Sequence, residues 1–126
     1  MREVIRSNDV EIKTFSTHQI IIRGSGNSEF NNILNKKLKL LPPSDNLRIV
    51  SDDKHILAKM SFDQWNLIFL NDNKNFKVQK ICHEFNEKAS ILATNFSDAQ
   101  VFFQIVGNNT FYMLNKLTHF DFREKN

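Results

Sequence analysis

The chain has 126 residues, of which 40% are hydrophobic and 25% are charged, and its formal net charge at pH 7 is +3. This length fits one domain with its own hydrophobic core, and the composition is ordinary for a globular protein. Cations and anions are mixed along the chain, whereas nucleic-acid-binding proteins gather their cations into a patch or stripe, so we expect no nucleic-acid partner.

The first part of the chain predicts a strand followed by a helix. Residues 1–17 are polar with scattered apolar positions, and we expect a leading strand or an arm that packs on a partner. Residues 18–24 contain a β-branched run, which predicts a strand. After a glycine-containing turn, Asn27 or Ser28 is placed to cap a helix by accepting a backbone N–H. We expect the proline pair at 42–43 to end this helix. Its apolar stripe consists of Phe30, Ile33, Leu34, Leu38 and Leu41.

The rest of the chain predicts further strands and two helices. Three strands separated by short polar segments are predicted at residues 47–50, 55–60 and 65–70. A helix is predicted at 76–88, with an apolar side formed by Val78, Ile81, Cys82, Phe85 and Ala89. Two strands turned by Ser97 and Asp98 are predicted at 90–96 and 100–106. A last helix, capped by Asn108 or Asn109, has Met113, Leu114 and Leu117 on its apolar face.

This order of elements indicates an α+β fold. Helices fall between groups of strands, which favours an antiparallel or mixed sheet with helices packed on one face. The order contains the βαββαβ series of a ferredoxin-like unit. We predict one such domain over residues 18–126, preceded by the segment at 1–17.

Cysteine content and hydropathy indicate the compartment. Cys82 is the single cysteine and cannot form an internal disulfide, which favours a reducing environment. No segment of the sequence approaches the roughly 20 apolar residues of a membrane span. The N-terminus lacks the apolar stretch of a signal peptide. We therefore expect a cytoplasmic protein with no membrane partner.

The residues that carry chemistry in other proteins do not form a recognisable set in this sequence. The four histidines are dispersed, and Cys82 has only His83 beside it, so we expect no metal site. Cys82 lies on a predicted apolar stripe, which favours an inert buried thiol. The glycines at 24 and 26 lack the third glycine of a dinucleotide fingerprint and the lysine of a phosphate loop. We expect no catalytic residue, and a chain that binds or scaffolds.

Asp63, Trp65 and the pair Ser97-Asp98 are better explained by structure than by catalysis. Asp63 lies in a predicted turn, where a carboxylate bonds backbone N–H groups. Trp65 is the single tryptophan, and we expect it to anchor the core or an interface. Ser97 and Asp98 are favoured in a turn between strands because they form local hydrogen bonds.

Four short segments occur in a particular order. In the first, an apolar strand ends in Arg23-Gly24 and is followed by a helix and a Leu-Pro pair. In the second, Asp63 and Trp65 are followed by an apolar tail. The third is the turn at Ser97-Asp98, and the fourth is a strand that ends in Gly107 and leads into a helix with a Phe-Asp-Phe end. In order and spacing, the chain from residue 18 onward resembles the gamma subunit of heterotetrameric sarcosine oxidase. It departs from that family by having Ser61, Phe62 and Gln64 in place of Gly, Pro and Glu.

The resemblance implies a small non-catalytic subunit. Its fold would be related to the folate-binding aminomethyltransferases, and it would pack against the alpha subunit in a complex that also contains beta and delta subunits. That complex oxidises sarcosine to glycine, passes the one-carbon unit to tetrahydrofolate and reduces oxygen to peroxide. This chain alone would hold no cofactor, since FAD or FMN, NAD and tetrahydrofolate are bound elsewhere in the complex.

The resemblance also implies which residues of this chain are structural or interface positions. They are Arg23, Gly24, Asp63, Trp65, Ser97, Asp98 and Gly107. Members of the family continue with further strands, so we expect a truncated or compact version here. Two alternatives stay open: a stand-alone tetrahydrofolate-binding one-carbon protein, and a ferredoxin-like binding or regulatory module.

Overall fold

The computed structural model describes residues 3–7, 10–15, 17–70, 75–97, 102–108, 110 and 114. The chain divides into two compact units: a larger unit, residues 17–100, and a smaller unit formed by residues 1–16 and 101–126. The domain predicted from sequence runs from 18 to 126, whereas the contacts group residues 101–126 with the leading segment.

In chain order the elements are β1 (Glu3–Ser7), β2 (Val10–Phe15), β3 (Gln19–Arg23), α1 (Ser28–Leu38), β4 (Ile49–Ser51), β5 (His55–Ser61), β6 (Gln64–Phe69), α2 (Asn75–Asn86), β7 (Leu92–Asn95) and β8 (Phe102–Gly107).

The larger unit is a five-stranded sheet with the strand order β4-β5-β6-β3-β7, and every neighbouring pair is antiparallel. Side chains alternate along the strands, so that Trp65, Leu67 and Phe69 of β6 are buried. The same core contains buried residues of both helices, which therefore lie on one face of the sheet. Within the described residues, these features confirm the predicted α+β class, with helices α1 and α2 and antiparallel sheets.

Helix α1 begins as predicted but ends earlier. The Asn27 Oδ1 accepts a hydrogen bond from the Phe30 N–H at 2.9 Å and caps the helix. Lys39 adopts the left-handed conformation, with φ 60°, and its N–H donates to the Asn35 carbonyl. Because the helix ends there and not at the proline pair, Leu41 leaves the predicted stripe and is 64% exposed. The prediction for Leu41 was wrong, whereas the burial of Phe30, Leu34 and Leu38 is confirmed.

Helix α2 is confirmed with one correction at its end. Val78, Cys82 and Phe85 are buried on one side, as the apolar spacing predicts. The helix ends at Asn86, so Ala89 lies beyond it and is exposed.

The smaller unit contains a three-stranded antiparallel sheet with the order β1-β2-β8. Both strands predicted for residues 90–106 are present, but β7 pairs with β3 and β8 pairs with β2, so they belong to different sheets. Residues 98–100 lie outside the described residues, as does most of the predicted last helix.

Candidate functional site: the corner between β3 and the β5–β6 turn

Arg23, Gly24 and Asp63 meet where β3 ends beside the turn between β5 and β6. The Gly24 N–H donates to the Asp63 carbonyl at 3.1 Å. The Asp63 carboxylate lies 3.7 Å from the Arg23 guanidinium and accepts a hydrogen bond from the Ser61 hydroxyl at 3.1 Å. Asp63 was expected to bond backbone N–H groups of its turn through its side chain, whereas here it is the main-chain carbonyl that holds the neighbouring segment. The ion pair is about half exposed, so it contributes less than about 1 kcal/mol.

Glycine is required at two positions of the turn that follows β3. A Cβ at Gly24 would overlap the Phe30 ring. Gly26 has φ 71°, and a Cβ there would lie 2.9 Å from the Trp65 ring. The turn therefore lets the backbone approach two aromatic side chains closely, which is a packing role.

Trp65 is the buried centre of this corner. Its ring lies 4.5 Å from that of Phe30, centroid to centroid, and its indole N–H donates to the Pro43 carbonyl at 3.3 Å. The Lys59 ammonium lies 5.2 Å from the Trp65 ring and donates to the Ser44 carbonyl at 2.7 Å. These contacts bind the segment after α1, at Pro43 and Ser44, to strands β5 and β6 of the sheet. Trp65 was expected to anchor the core or an interface, and it lies in the core, where it is 1% exposed.

Ser97 lies at the opposite end of β3. Its hydroxyl accepts from the Gln19 N–H at 3.3 Å and donates to Asn95 Oδ1 at 2.5 Å. The Gln19 side chain is fully buried, and its Nε2 donates to the Phe96 carbonyl at 3.2 Å. This network joins the end of β7 to the beginning of β3, and sequence reasoning missed Gln19 and Asn95.

The remaining predicted site residues are not part of the corner. Gly107 ends β8 in the smaller unit, pairs with Val10 and accepts a hydrogen bond from the Thr110 hydroxyl at 2.8 Å. Asp98 lies outside the described residues. The structure therefore groups Arg23, Gly24 and Asp63 with Trp65, and it places Ser97 elsewhere.

Among the residues that the structure describes, Asp52 and Cys82 have pKa values that depart from the ordinary ones. The pKa of Asp52 is lowered, chiefly because its carboxylate accepts the Lys54 N–H, with further contributions from the His55 N–H and side chain. Burial raises the pKa of the Cys82 thiol, which is therefore poorly suited to act as a nucleophile.

Within the described ranges, no group of three or more His, Cys, Asp or Glu side chains is arranged to hold a metal ion. Among those same residues no helix is long and apolar enough to cross a membrane. Comparisons with protein-family models, with curated proteins and with solved structures found no match.

Proposed function

We propose that this chain is a small non-catalytic subunit of the kind represented by the gamma subunit of heterotetrameric sarcosine oxidase. The observation that carries the proposal is the corner itself. Arg23-Gly24 and Asp63 with Trp65 belong to segments about 40 residues apart, yet they meet in space and contact one another through backbone bonds and packing. Residues that make backbone hydrogen bonds and packing contacts of this kind stabilise the fold and do not take part in chemistry. The order and spacing of these segments along the chain supply the resemblance to that family.

The topology of the larger unit supports a ferredoxin-like core. With β4 set aside, the strands lie in the order β5-β6-β3-β7, and one helix lies between β3 and β5 along the chain. The second helix lies between β6 and β7. This arrangement corresponds to the βαββαβ series. It is compatible with the relation to folate-binding aminomethyltransferases that the resemblance implies, with β4 as an additional edge strand.

Exposed apolar side chains support a role in binding another protein. Phe62, in the turn beside Asp63, is 77% exposed. Others with large exposed fractions are Leu41, Leu47, Ile49, Met60, Leu70 and Leu92 of the larger unit and Phe103 and Val106 of the smaller one. Single exposed apolar residues are normal, but a subunit of an obligate complex needs such area where its partner packs. In the proposed complex the flavin, NAD and tetrahydrofolate are bound by other chains.

Co-expression tests the proposal. The chain is produced with the alpha, beta and delta sarcosine oxidase subunits of the same genome, and the products are separated by size exclusion. We expect co-elution in one sarcosine-oxidising complex, and we expect the other three chains to assemble poorly when this chain is omitted. A chain that elutes alone while the other three assemble and oxidise sarcosine would contradict the proposal. So would a genome that lacks those subunits.

A titration separates the proposal from the stand-alone alternative. The isolated chain is titrated with tetrahydrofolate while Trp65 fluorescence is recorded. A non-catalytic subunit is expected to show no saturable change, whereas a stand-alone folate protein would bind.

A further inference from the structure

The two edges of the five-stranded sheet differ in how their backbone groups are satisfied. At the β7 edge, the Asn86 side chain donates to the Ala93 carbonyl at 2.8 Å and accepts from the Ala93 N–H at 2.7 Å. One amide therefore occupies both outward-facing backbone groups of Ala93 in β7. An edge covered in this way is poorly available for pairing with another strand.

The β4 edge is open among the described residues. The Asp52 N–H donates to the His55 carbonyl at 3.0 Å, and the Lys59 N–H donates to the Arg48 carbonyl at 3.0 Å. In an antiparallel ladder the residues that face the neighbouring strand alternate, so the backbone groups of Ile49 and Ser51 point away from β5. Both residues are exposed. These N–H and C=O groups have no partner within the described part of the chain.

The sequence of this edge is complementary to itself. If two copies of β4 pair antiparallel about a two-fold axis at Val50, Ile49 of each copy lies opposite Ser51 of the other. Each such pair exchanges both backbone hydrogen bonds with groups that are otherwise unpaired. On the other face, Val50 lies opposite Val50, and Arg48 of each copy lies opposite Asp52 of the other. Opposite charges placed directly across two strands are stabilising.

Neighbouring registers lack this complementarity. Shifting the pairing by two residues one way places Arg48 opposite Val50, and shifting it the other way places Val50 opposite Asp52. Each shift leaves a charged side chain facing an apolar one. Within its own sheet Arg48 lies across from Lys59, a like charge.

Leu47 provides an independent observation at the same edge. It has φ 64°, and its N–H and the Arg48 carbonyl both bond to Lys59, which is the geometry of a bulge whose first position is normally glycine. A leucine there is strained, yet its side chain is 60% exposed. Ile49 beside it is 61% exposed. Both apolar side chains therefore flank the open backbone groups.

We propose that two copies of this chain associate through β4, pairing antiparallel about Val50 to form one sheet that is continuous across both copies. The contact is short, so the dimer is weak, with a dissociation constant in the micromolar-to-millimolar range. This association concerns the chain alone and does not depend on the function proposed above.

Sedimentation equilibrium of the purified chain over a concentration series up to about 1 mM tests the association. We expect a monomer–dimer equilibrium that Arg48→Glu weakens by about tenfold or more, because the introduced carboxylate then lies opposite Asp52, a like charge. Ser51→Lys, which adds a charge to the edge, is expected to weaken it as well. Lys36→Glu makes the same charge change on the exposed side of α1 and is expected to leave association unchanged. Thermal unfolding of each variant verifies that it is folded.

Cross-linking tests the register. With Val50→Cys, the two thiols lie across the two-fold axis, and oxidised glutathione is expected to yield a covalent dimer much faster than it does with Lys36→Cys. A chain that stays monomeric at all concentrations would overturn the proposal, as would a dimer unaffected by both edge variants. A dimer that Val50→Cys fails to cross-link would place the contact elsewhere and overturn it too. A third outcome is a monomer whose edge variants impair co-elution with the other sarcosine oxidase subunits. That result would show that β4 binds one of those subunits and would also overturn the proposed pairing with a second copy.

Discussion

The Asn86 side chain and the Ala93 backbone form a reciprocal pair of hydrogen bonds, with lengths of 2.8 and 2.7 Å. This pair joins the last residue of α2 to the strand that follows it. It satisfies backbone groups of a buried residue, since Ala93 is 4% exposed. The Asn86 side chain thereby covers the backbone of Ala93 at the β7 edge of the sheet.

Replacing Asn86 with alanine is therefore expected to lower the stability of the protein. Both Ala93 groups lose their partner, and we expect the free energy of unfolding to fall by about 1–2 kcal/mol in urea denaturation. Gln79→Ala, at an exposed position of the same helix, is the matched control and is expected to change stability by less than about 0.5 kcal/mol. Equal stability of the two variants would show that the amide pair does not hold β7 in place.

The turn after β3 is expected to tolerate no side chain at its glycines. Gly24→Ala introduces a methyl group that overlaps the Phe30 ring, and we expect destabilisation of about 1–3 kcal/mol. Gly26→Ala places alanine at φ 71° and against Trp65, at a comparable cost. Because Trp65 is the single tryptophan, its fluorescence reports both changes. Ser25→Ala, between the two glycines, is the control, and a loss of stability as large as theirs would argue against the packing explanation.

Lys39 is predicted to be a site where glycine stabilises the protein. Its φ of 60° at the end of α1 is costly for lysine and not for glycine, so Lys39→Gly is expected to raise the free energy of unfolding by up to about 1 kcal/mol. Lys36→Gly is the same chemical change within the helix and is expected to lower it by about 0.5–1 kcal/mol. Shifts of the same sign in both variants would contradict the left-handed end of α1.

Asp52 is expected to make stability depend on pH in the acid range. Its pKa in the folded chain lies below the ordinary value of 3.8, so the folded state favours the carboxylate. The stabilisation is then present above the unfolded pKa and is lost as pH falls through the folded pKa. Asp52→Ala should be less stable than the parent chain at about pH 6, and this difference should shrink as pH falls below 3.8. A difference that stays constant down to about pH 2.5 would show that the charge on Asp52 plays no part.

Local patterns predicted the elements well where their signals were strong. The spacing of Phe30, Leu34 and Leu38 predicted the buried side of α1, and Asn27 was identified as a possible cap because its residue type suits that role. The end of α1 was missed, because a left-handed residue at a helix end is usually recognised in a sequence as glycine. Here that residue is Lys39, which gives no such signal.

Contacts between distant segments were beyond local patterns. Nothing near residues 90–106 indicates that β7 pairs with β3 while β8 pairs with β2. The Asn86 side chain was likewise missed, since a polar residue at a helix end usually faces solvent. Only the proposed resemblance to a family marks Arg23 and Asp63 as structural positions in the sequence. The pairing of β3 with β6 is what places them together.

Native mass spectrometry is the decisive measurement for the proposal that this chain is a non-catalytic component of a larger assembly. The chain is co-expressed with the alpha, beta and delta subunits of a sarcosine oxidase from its own genome, and the intact assembly is weighed. We predict a complex that contains this chain together with all three others. A mass that accounts for the other three subunits alone, with this chain detected only as a free monomer or homodimer, would show that the chain is not a subunit of that complex.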